Sequence, residues 1–274
     1  MSRPRGIDHL VLGVRDLDAA GAIYQELGFT VGARNRHPWG THNRLIQFPG
    51  AFIELITVAE PSLVPEHAPG RFSFGACVRD ALAAGEGISM LALESADAAA
   101  DNALWESAGI GGFDTFFFER QGRRPDGQPV RVAFTLAFAA DKAAPGAGFF
   151  VCQQHEPQNF WNPAFQIHDN GAIGVAETRF GAPSPPEHRR FLEAFTGAPV
   201  QEIDGGLRID LPRGAIMVER AECQPRWTGF TVAVADLQAL RHRLDSRAIV
   251  HQWRAGEAML SAFGATIRFV QAEV

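Results

Sequence analysis

Apolar positions along this chain fall into short alternating or continuous runs separated by glycine, proline and acidic turns, and the runs return in a fixed order. GIDHLVLGV sets His9 among Ile7, Leu10, Val11, Leu12 and Val14, and GAFIELITV sets Glu54 among Phe52, Ile53, Leu55, Ile56 and Val58. Both read as strands. Between them DLDAAGAIYQELGF carries Ala19, Ala22, Ile23 and Leu27 at helical spacing, with Asp16 and Asp18 at the positive N-terminal end and Gly28 as its stop. The pattern predicts a strand, a helix, and strands near 29–36, 43–48 and 51–58.

That order recurs. Glu60 to Gly70 holds Pro61, Pro65 and Pro69 and reads as a linker, and 71–87 is weakly patterned. GISMLALES is the next strand, and ADAAADNALWESAGI is a helix with Ala98, Leu104, Trp105 and Ala108 on its apolar side. FDTFFFER, PVRVAFTLAFA and GFFVCQQHEP follow as strands, with the turn RRPDGQP, and in it a solvated Arg123 and Arg124, between the first two. Gln158 to Gly171 reads as an irregular crossing. GAIGVAETRF, the helix PPEHRRFLEAFTG, PVQEI, LRIDLP and GAIMVER make a third copy; GFTVAVAD, LQALRHRLDSR and strands around 249–253, 257–263 and 265–271 make a fourth. Four Gly-Ala turns, at Gly50, Gly146, Gly214 and Gly264, precede the last strands of the four copies. A single βαβββ sheet is open, so two must pair to curl around a cavity. The expectation is an α+β chain with four βαβββ modules at 7–58, 86–155, 171–220 and 227–271, paired one with two and three with four into halves 1–157 and 158–274.

Composition narrows the partners. In 274 residues, 46% are hydrophobic, enough for one large core or two ordinary ones, and a net charge of −6 favours neither nucleic acid nor an anionic membrane. Cys77, Cys152 and Cys223 are too few and scattered for a disulfide framework. MSRPRGIDH runs straight into the first strand without an apolar leader, and no run of about 18 apolar residues occurs, which predicts a cytoplasmic protein without a membrane span.

A lone acid inside an apolar strand needs a partner, because burying an ionised carboxylate unpaired costs several kcal/mol, roughly. Imidazole and carboxylate together bind a divalent metal or exchange protons, so His9 and Glu54 are the candidate site; the bland alternative is a core histidine bonded to Glu54 with no ligand. Superposing the Gly-Ala turns puts Phe150, Val218 and Arg268 at the position of Glu54, and counting along first strands puts Ile88, Ile173 and Gly229 at that of His9. Only the first module keeps both polar groups. The second half shows no acid, His or Cys cluster and is expected to be structural or an interface.

The βαβββ unit with His on its first strand and Glu on its last resembles the module of the glyoxalase/bleomycin-resistance/extradiol-dioxygenase (vicinal oxygen chelate) superfamily, and HPWGTHNRLIQFPGAFIELI resembles the glyoxalase-like proteins whose first module carries a Gly-Thr-x-Asn turn. The resemblance implies a metal with three or four ligands from two paired modules. By position this chain supplies two, His9 and Glu54, so the expectation is a divalent metal held weakly or not at all. It also implies a small-molecule substrate, lyase or isomerase chemistry with Glu54 as general base and His9 as its partner or a ligand, and a pocket lined or approached by Trp39, His42, Arg44, Phe150, Cys152 and Gln154. The alternative is a sequestering protein of the bleomycin-resistance type, which binds an aromatic or amphipathic compound and leaves it unchanged.

Overall fold

The computed structural model describes residues 3–123 and 127–272, so Arg124 of the RRPDGQP turn lies outside the described residues. The first unit is β1 (Ile7–Gly13), α1 (Leu17–Glu26), β2 (Asn35–Arg36), β3 (Thr41–Phe48) and β4 (Ala51–Val58). Asp16 starts α1 by accepting hydrogen bonds from the amides of Asp18 and Ala19, and Leu17, Ala20 and Tyr24 are its buried stripe. The weakly patterned stretch forms a helix that periodicity missed, α2 (Phe74–Ala84). Its signal was the cap: Ser73 Oγ accepts from the Ala76 amide, and Phe74, Ala76 and Val78 are buried.

The second unit is β5 (Gly87–Glu94), α3 (Ala98–Ala108), β6 (Phe116–Arg123), β7 (Pro129–Ala139) and β8 (Gly148–Gln154). The crossing is a single turn, α4 (Pro157–Phe160), and a 3-10 turn at Pro163–Gln166. The third unit is β9 (Ala172–Ala182), α5 (Arg189–Thr196), β10 (Gln201–Ile203), β11 (Gly206–Asp210) and β12 (Ala215–Arg220); the fourth is β13 (Arg226–Val234), α6 (Leu237–Ser246), β14 (Gln252–Arg254), β15 (Glu257–Ala262) and β16 (Ala265–Gln271). Two eight-stranded sheets result, ordered β2-β3-β4-β1-β5-β8-β7-β6 and β10-β11-β12-β9-β13-β16-β15-β14. Modules pair one with two and three with four, as the repeat predicts.

The faces of the strands divide the labour. Leu10, Leu12, Leu55 and Phe149 of the first sheet share one core with Phe180, Ile216, Phe230 and Phe269 of the second and with the helices. The opposite face of the first sheet holds a separate cluster of Val11, Ile56, Met90, Phe134, Phe138 and Phe150, joined by Phe74 and Val78 of α2. This face curls on itself: the Trp39 ring, beside β3 at one end of the sheet, meets Phe116 and Phe118 of β6 at the other, each at 5.0 Å between centroids.

Strand pairing corrects the superposition drawn from the Gly-Ala turns. His9 pairs with Ala92 and Val11 with Met90 across β1 and β5, which makes Met90, not Ile88, the counterpart of His9; Glu54 beside Val11 matches Phe150 beside Ala92. In the second sheet Glu177 pairs with Thr231 and Arg179 with Gly229, so Glu177 and Gly229 take the His9 position and Met217 and Arg268 the Glu54 position. Ile173 and Val218 are therefore replaced by Glu177 and Met217, while Phe150, Gly229 and Arg268 hold. The third module's strand leaves its turn one residue out of phase, and a one-residue slip turns every side chain to the other face. That face carries a cluster that the sequence did not announce: Glu177 holds Arg179 at 2.8 Å and Arg208 at 2.9 Å, and Arg179 also pairs with Glu219. The network satisfies its own charges.

The four turns are also not equivalent. Gly264 has φ +70° and lies where a Cβ would meet the carbonyl oxygen of Glu86 at 1.8 Å, whereas Gly146 has no positive φ and nothing within 4 Å of its missing Cβ. Gly264→Ala therefore forces a backbone shift between the fourth and second modules in addition to left-handed strain, together at least about 1–3 kcal/mol, while Gly146→Ala leaves stability unchanged or slightly raised. Denaturant unfolding of the two variants checks this; equal midpoints contradict it.

Candidate functional site

Period two along each strand decides what enters the curl. From β1 and β4 come His9, Phe52 and Glu54; from β3, Asn43 and Leu45; from β6, Phe118 and Arg120; from β7 and β8, Phe134, Leu136, Phe150 and Cys152. Trp39, Phe74 of α2 and Phe160 of the crossing close the cavity, which is about 50 Å³. Two larger spaces adjoin it. One of about 400 Å³ shares Leu45, Arg120 and Phe160 with it; the other, an aromatic groove of about 860 Å³, shares Trp39, Phe74 and Phe118.

Glu54 is 4% exposed, on a strand whose neighbours are nearly all apolar. Its Oε1 accepts from Asn43 Nδ2 at 2.5 Å, and its Oε2 lies 3.9 Å from His9 Nε2. Burial pushes its carboxyl above the ordinary value of 4.5; the neighbouring His9, the Asn43 hydrogen bond and the Arg120 charge oppose that rise without cancelling it. Asn43 is itself held. Its Oδ1 accepts from Asn35 Nδ2 at 2.9 Å, and its Nδ2 also faces His37 Nε2 at 3.4 Å, while His37 Nδ1 lies 2.9 Å from Thr41 Oγ1. Burial, reinforced by Arg120 and His42, lowers the His37 pKa to about 3, so the ring is neutral, accepts from Asn43 and donates to Thr41. His37 also stacks on Trp39 at 4.5 Å. The HPWGTHN turn thus fixes the amide that holds Glu54.

His9 has a partner that alternation alone does not predict. The β1–β5 register shifts between Ile7 and His9, and Asp8, 3% exposed, is the extra residue. Asp8 Oδ1 lies 2.5 Å from His9 Nδ1, and Asp8 Oδ2 accepts from Gln154 Nε2 at 2.8 Å. An ionised carboxylate only accepts, so His9 Nδ1 carries the hydrogen and Nε2 is left for the cavity. Phe52 stacks on the imidazole at 4.2 Å and Phe150 meets it edge-on at 5.2 Å.

The remaining sequence candidates divide. Trp39, Phe150 and Cys152 line the cavity with His9 and Glu54. Gln154 lines an adjoining space with Asp8 and Arg213 and reaches His9 only through Asp8. His42 and Arg44 lie one residue out of phase with Asn43 and Leu45 and face away: Arg44 donates to Asp18 at 2.7 Å and to the Gly32 carbonyl, and His42 sits between Arg34 and Glu60. Asp8, Asn43 and Arg120 were missed as site residues. Period two from Leu45 and Phe118 would have found the last two; the bulge conceals the first. Burial and the nearby Asp8 and Glu54 raise the Cys152 thiol well above its ordinary value, which keeps it protonated and poorly nucleophilic.

The donor set does not fit a metal held as the superfamily resemblance implies. Of the four corresponding positions, His9 and Glu54 carry donors and Phe150 and Met90 do not. Asp8, His9 and Cys152 bring ligand atoms within 4.8 Å of one another, but Asp8 Oδ1 already engages His9 Nδ1 and Asp8 Oδ2 already accepts from Gln154.

Comparison with known proteins agrees with this architecture. No curated protein matches the chain. A hypothetical protein from Staphylococcus aureus superposes with a TM-score of 0.75 at 13% identity, over 98% of this chain and 100% of that one. The Mn(II)-bound glyoxalase from Novosphingobium aromaticivorans superposes at 0.60 and 14% identity, over 98% and 82%, and BphC, a halotolerant catechol dioxygenase, at 0.60 and 9%, over 98% and 87%. At such identities these likenesses concern the fold. The model of the glyoxalase-like domain matches residues 7–196, more than half of the sequence. The chain belongs to the glyoxalase-like domain family.

Proposed function

We propose that the chain is an enzyme that moves a proton on a small organic molecule, as a lyase or isomerase, with Glu54 as the general base. The observation that carries this reading is a buried carboxylate with a raised pKa, one oxygen anchored by Asn43 and the other facing a cavity beside His9. A base is most effective when its pKa approaches the working pH, and burial moves Glu54 that way. Glu54 Oε2 takes a proton from a carbon next to a carbonyl. In an isomerisation the same oxygen returns it. In an elimination His9, protonated at Nε2, gives its proton to the leaving group, and transfer from Glu54 to His9 across their 3.9 Å separation restores the starting state. Asp8 holds the imidazole in the required orientation and stabilises its charged form.

The chemistry belongs in this reading to the half spanning residues 1–157, and 158–274 supports it, with Phe160 reaching back over the cavity. The aromatic lining and the groove beyond Trp39 favour a second reading, a protein that sequesters an aromatic compound without changing it. In either case the ligand is a small molecule rather than nucleic acid. Among the described residues no helix is long and apolar enough to cross a membrane.

Incubation in D₂O with a panel of oxo acids and 1,3-dicarbonyl compounds, followed by proton NMR, separates the readings. The enzyme exchanges a C–H adjacent to a carbonyl, and Glu54→Gln slows that exchange by about 10²-fold or more. A compound that binds yet is recovered without exchange supports sequestration. Asp8→Asn, which leaves His9 without its anionic partner, is expected to lower the exchange rate by about tenfold or more while binding persists; an unchanged rate contradicts the role given to Asp8.

The raised carboxyl also has a stability signature. The folded state binds a proton more readily at Glu54 than the unfolded chain does, so this group's contribution is fully present below the ordinary value of 4.5 and is lost as pH rises through the folded pKa. Glu54→Gln keeps an oxygen for Asn43 and carries no charge. Its melting temperature relative to wild type therefore rises as pH is taken from below 4.5 to 8, and a difference that is flat or falls with pH contradicts the raised pKa.

A further inference from the structure

Arg120 is the one arginine or lysine that lines both the inner cavity and the 400 Å³ space beside it, among the described residues. It enters by alternation along β6, where Phe116, Phe118 and Arg120 face inward and Phe117 and Glu119 outward. It is half-buried, and among the described residues its guanidinium donates no hydrogen bond and has no carboxylate within ion-pair distance. Other arginines covered by protein are treated differently: Arg5 pairs with Asp101, Arg179 with Glu177 and Glu219, and Arg268 with Glu257. Glu54 is the acid whose charge acts on Arg120, but no hydrogen bond joins the two among the described residues, and the one that Glu54 accepts at Oε1 comes from Asn43.

We propose that Arg120 is the binding residue for a carboxylate of the ligand, so that the protein takes a small organic acid, with the acid group at Arg120 and the carbon to be deprotonated at Glu54. A guanidinium offers a planar fork of N–H donors that matches two carboxylate oxygens, and a half-buried one without a protein partner keeps those donors available to such a group. The inner cavity limits the separation. At about 50 Å³ it holds a few heavy atoms, so the carboxylate and the acidic carbon lie within a few bonds of each other in one molecule. The body of the ligand extends past Leu45 and Phe160 into the adjoining space, against Val132 and Phe165. The arrangement neutralises the incoming charge beside Glu54, which lets an anion approach a base that would otherwise repel it. This assignment deepens the reading of the cavity as a ligand site and does not require that Glu54 turn the ligand over.

Isothermal titration calorimetry with phenylacetate, indole-3-acetate and 2-oxo-4-phenylbutanoate, each against its neutral amide, tests the assignment. In the wild type at least one acid binds tenfold or more tightly than its amide. Arg120→Gln removes that advantage, Arg120→Lys retains part of it, and Glu54→Gln keeps or enlarges it. The acid-to-amide comparison in the wild type needs no variant to fold. Equal binding of acids and amides, an acid preference that survives Arg120→Gln, or no binding of any acid at millimolar concentration overturns the proposal. Arg120-dependent acid binding without Glu54-dependent C–H exchange overturns the catalytic reading instead and leaves the carboxylate site standing.

Discussion

The structure depends at one point on a constraint that folding alone would avoid: a carboxylate buried in an apolar curl with a single firm hydrogen bond. Replacing Glu54 by a well-packed apolar residue would remove a desolvation cost of several kcal/mol, roughly. The surroundings are arranged to tolerate that cost without abolishing it. Asn43 fixes one oxygen, His9 and Arg120 supply positive potential from two sides, and burial still keeps the carboxyl above its ordinary range. A fully satisfied ion pair would have pushed the pKa down and made Glu54 inert as a base.

Curvature is what brings these groups together. His9 and Glu54 lie on central strands, Arg120 on the last strand of the sheet, and His37 and Trp39 beside the first; only a sheet that curls until its ends touch can place all five around one cavity. α2 and Phe160 then reduce the space to about 50 Å³. The second sheet has the same topology, but its corresponding face carries charges that pair with one another. At the His9 position it offers Glu177, but Arg179 and Arg208 quench that acid on the spot, and the face becomes a closed salt network.

The order of strands and helices, the four modules and the His9/Glu54 pair were legible because each rests on period and spacing. What escaped had physical reasons. α2 is announced by its Ser73 cap and not by a strong stripe, and Asp8 reaches His9 because a bulge suspends the alternation that would have turned it away. His42 and Arg44 were drawn toward the site by their chemistry although period two sends them to the other face, where Arg44 serves Asp18. Arg120 ends a phenylalanine-rich strand, and its place beside the cavity, without an ion-pair partner among the described residues, becomes visible only once β6 is seen to close the curl.

The proposed chemistry depends on the proton affinity of one side chain. Carbon-13 NMR of protein labelled at the glutamate carboxyl carbons, with the Glu54 signal assigned by its loss in Glu54→Gln, reports that affinity directly. The prediction is a Glu54 midpoint above the ordinary 4.5, moving higher still in Arg120→Gln, where a charge that favours the carboxylate is gone. A midpoint at or below 4.5, indifferent to Arg120, would contradict it.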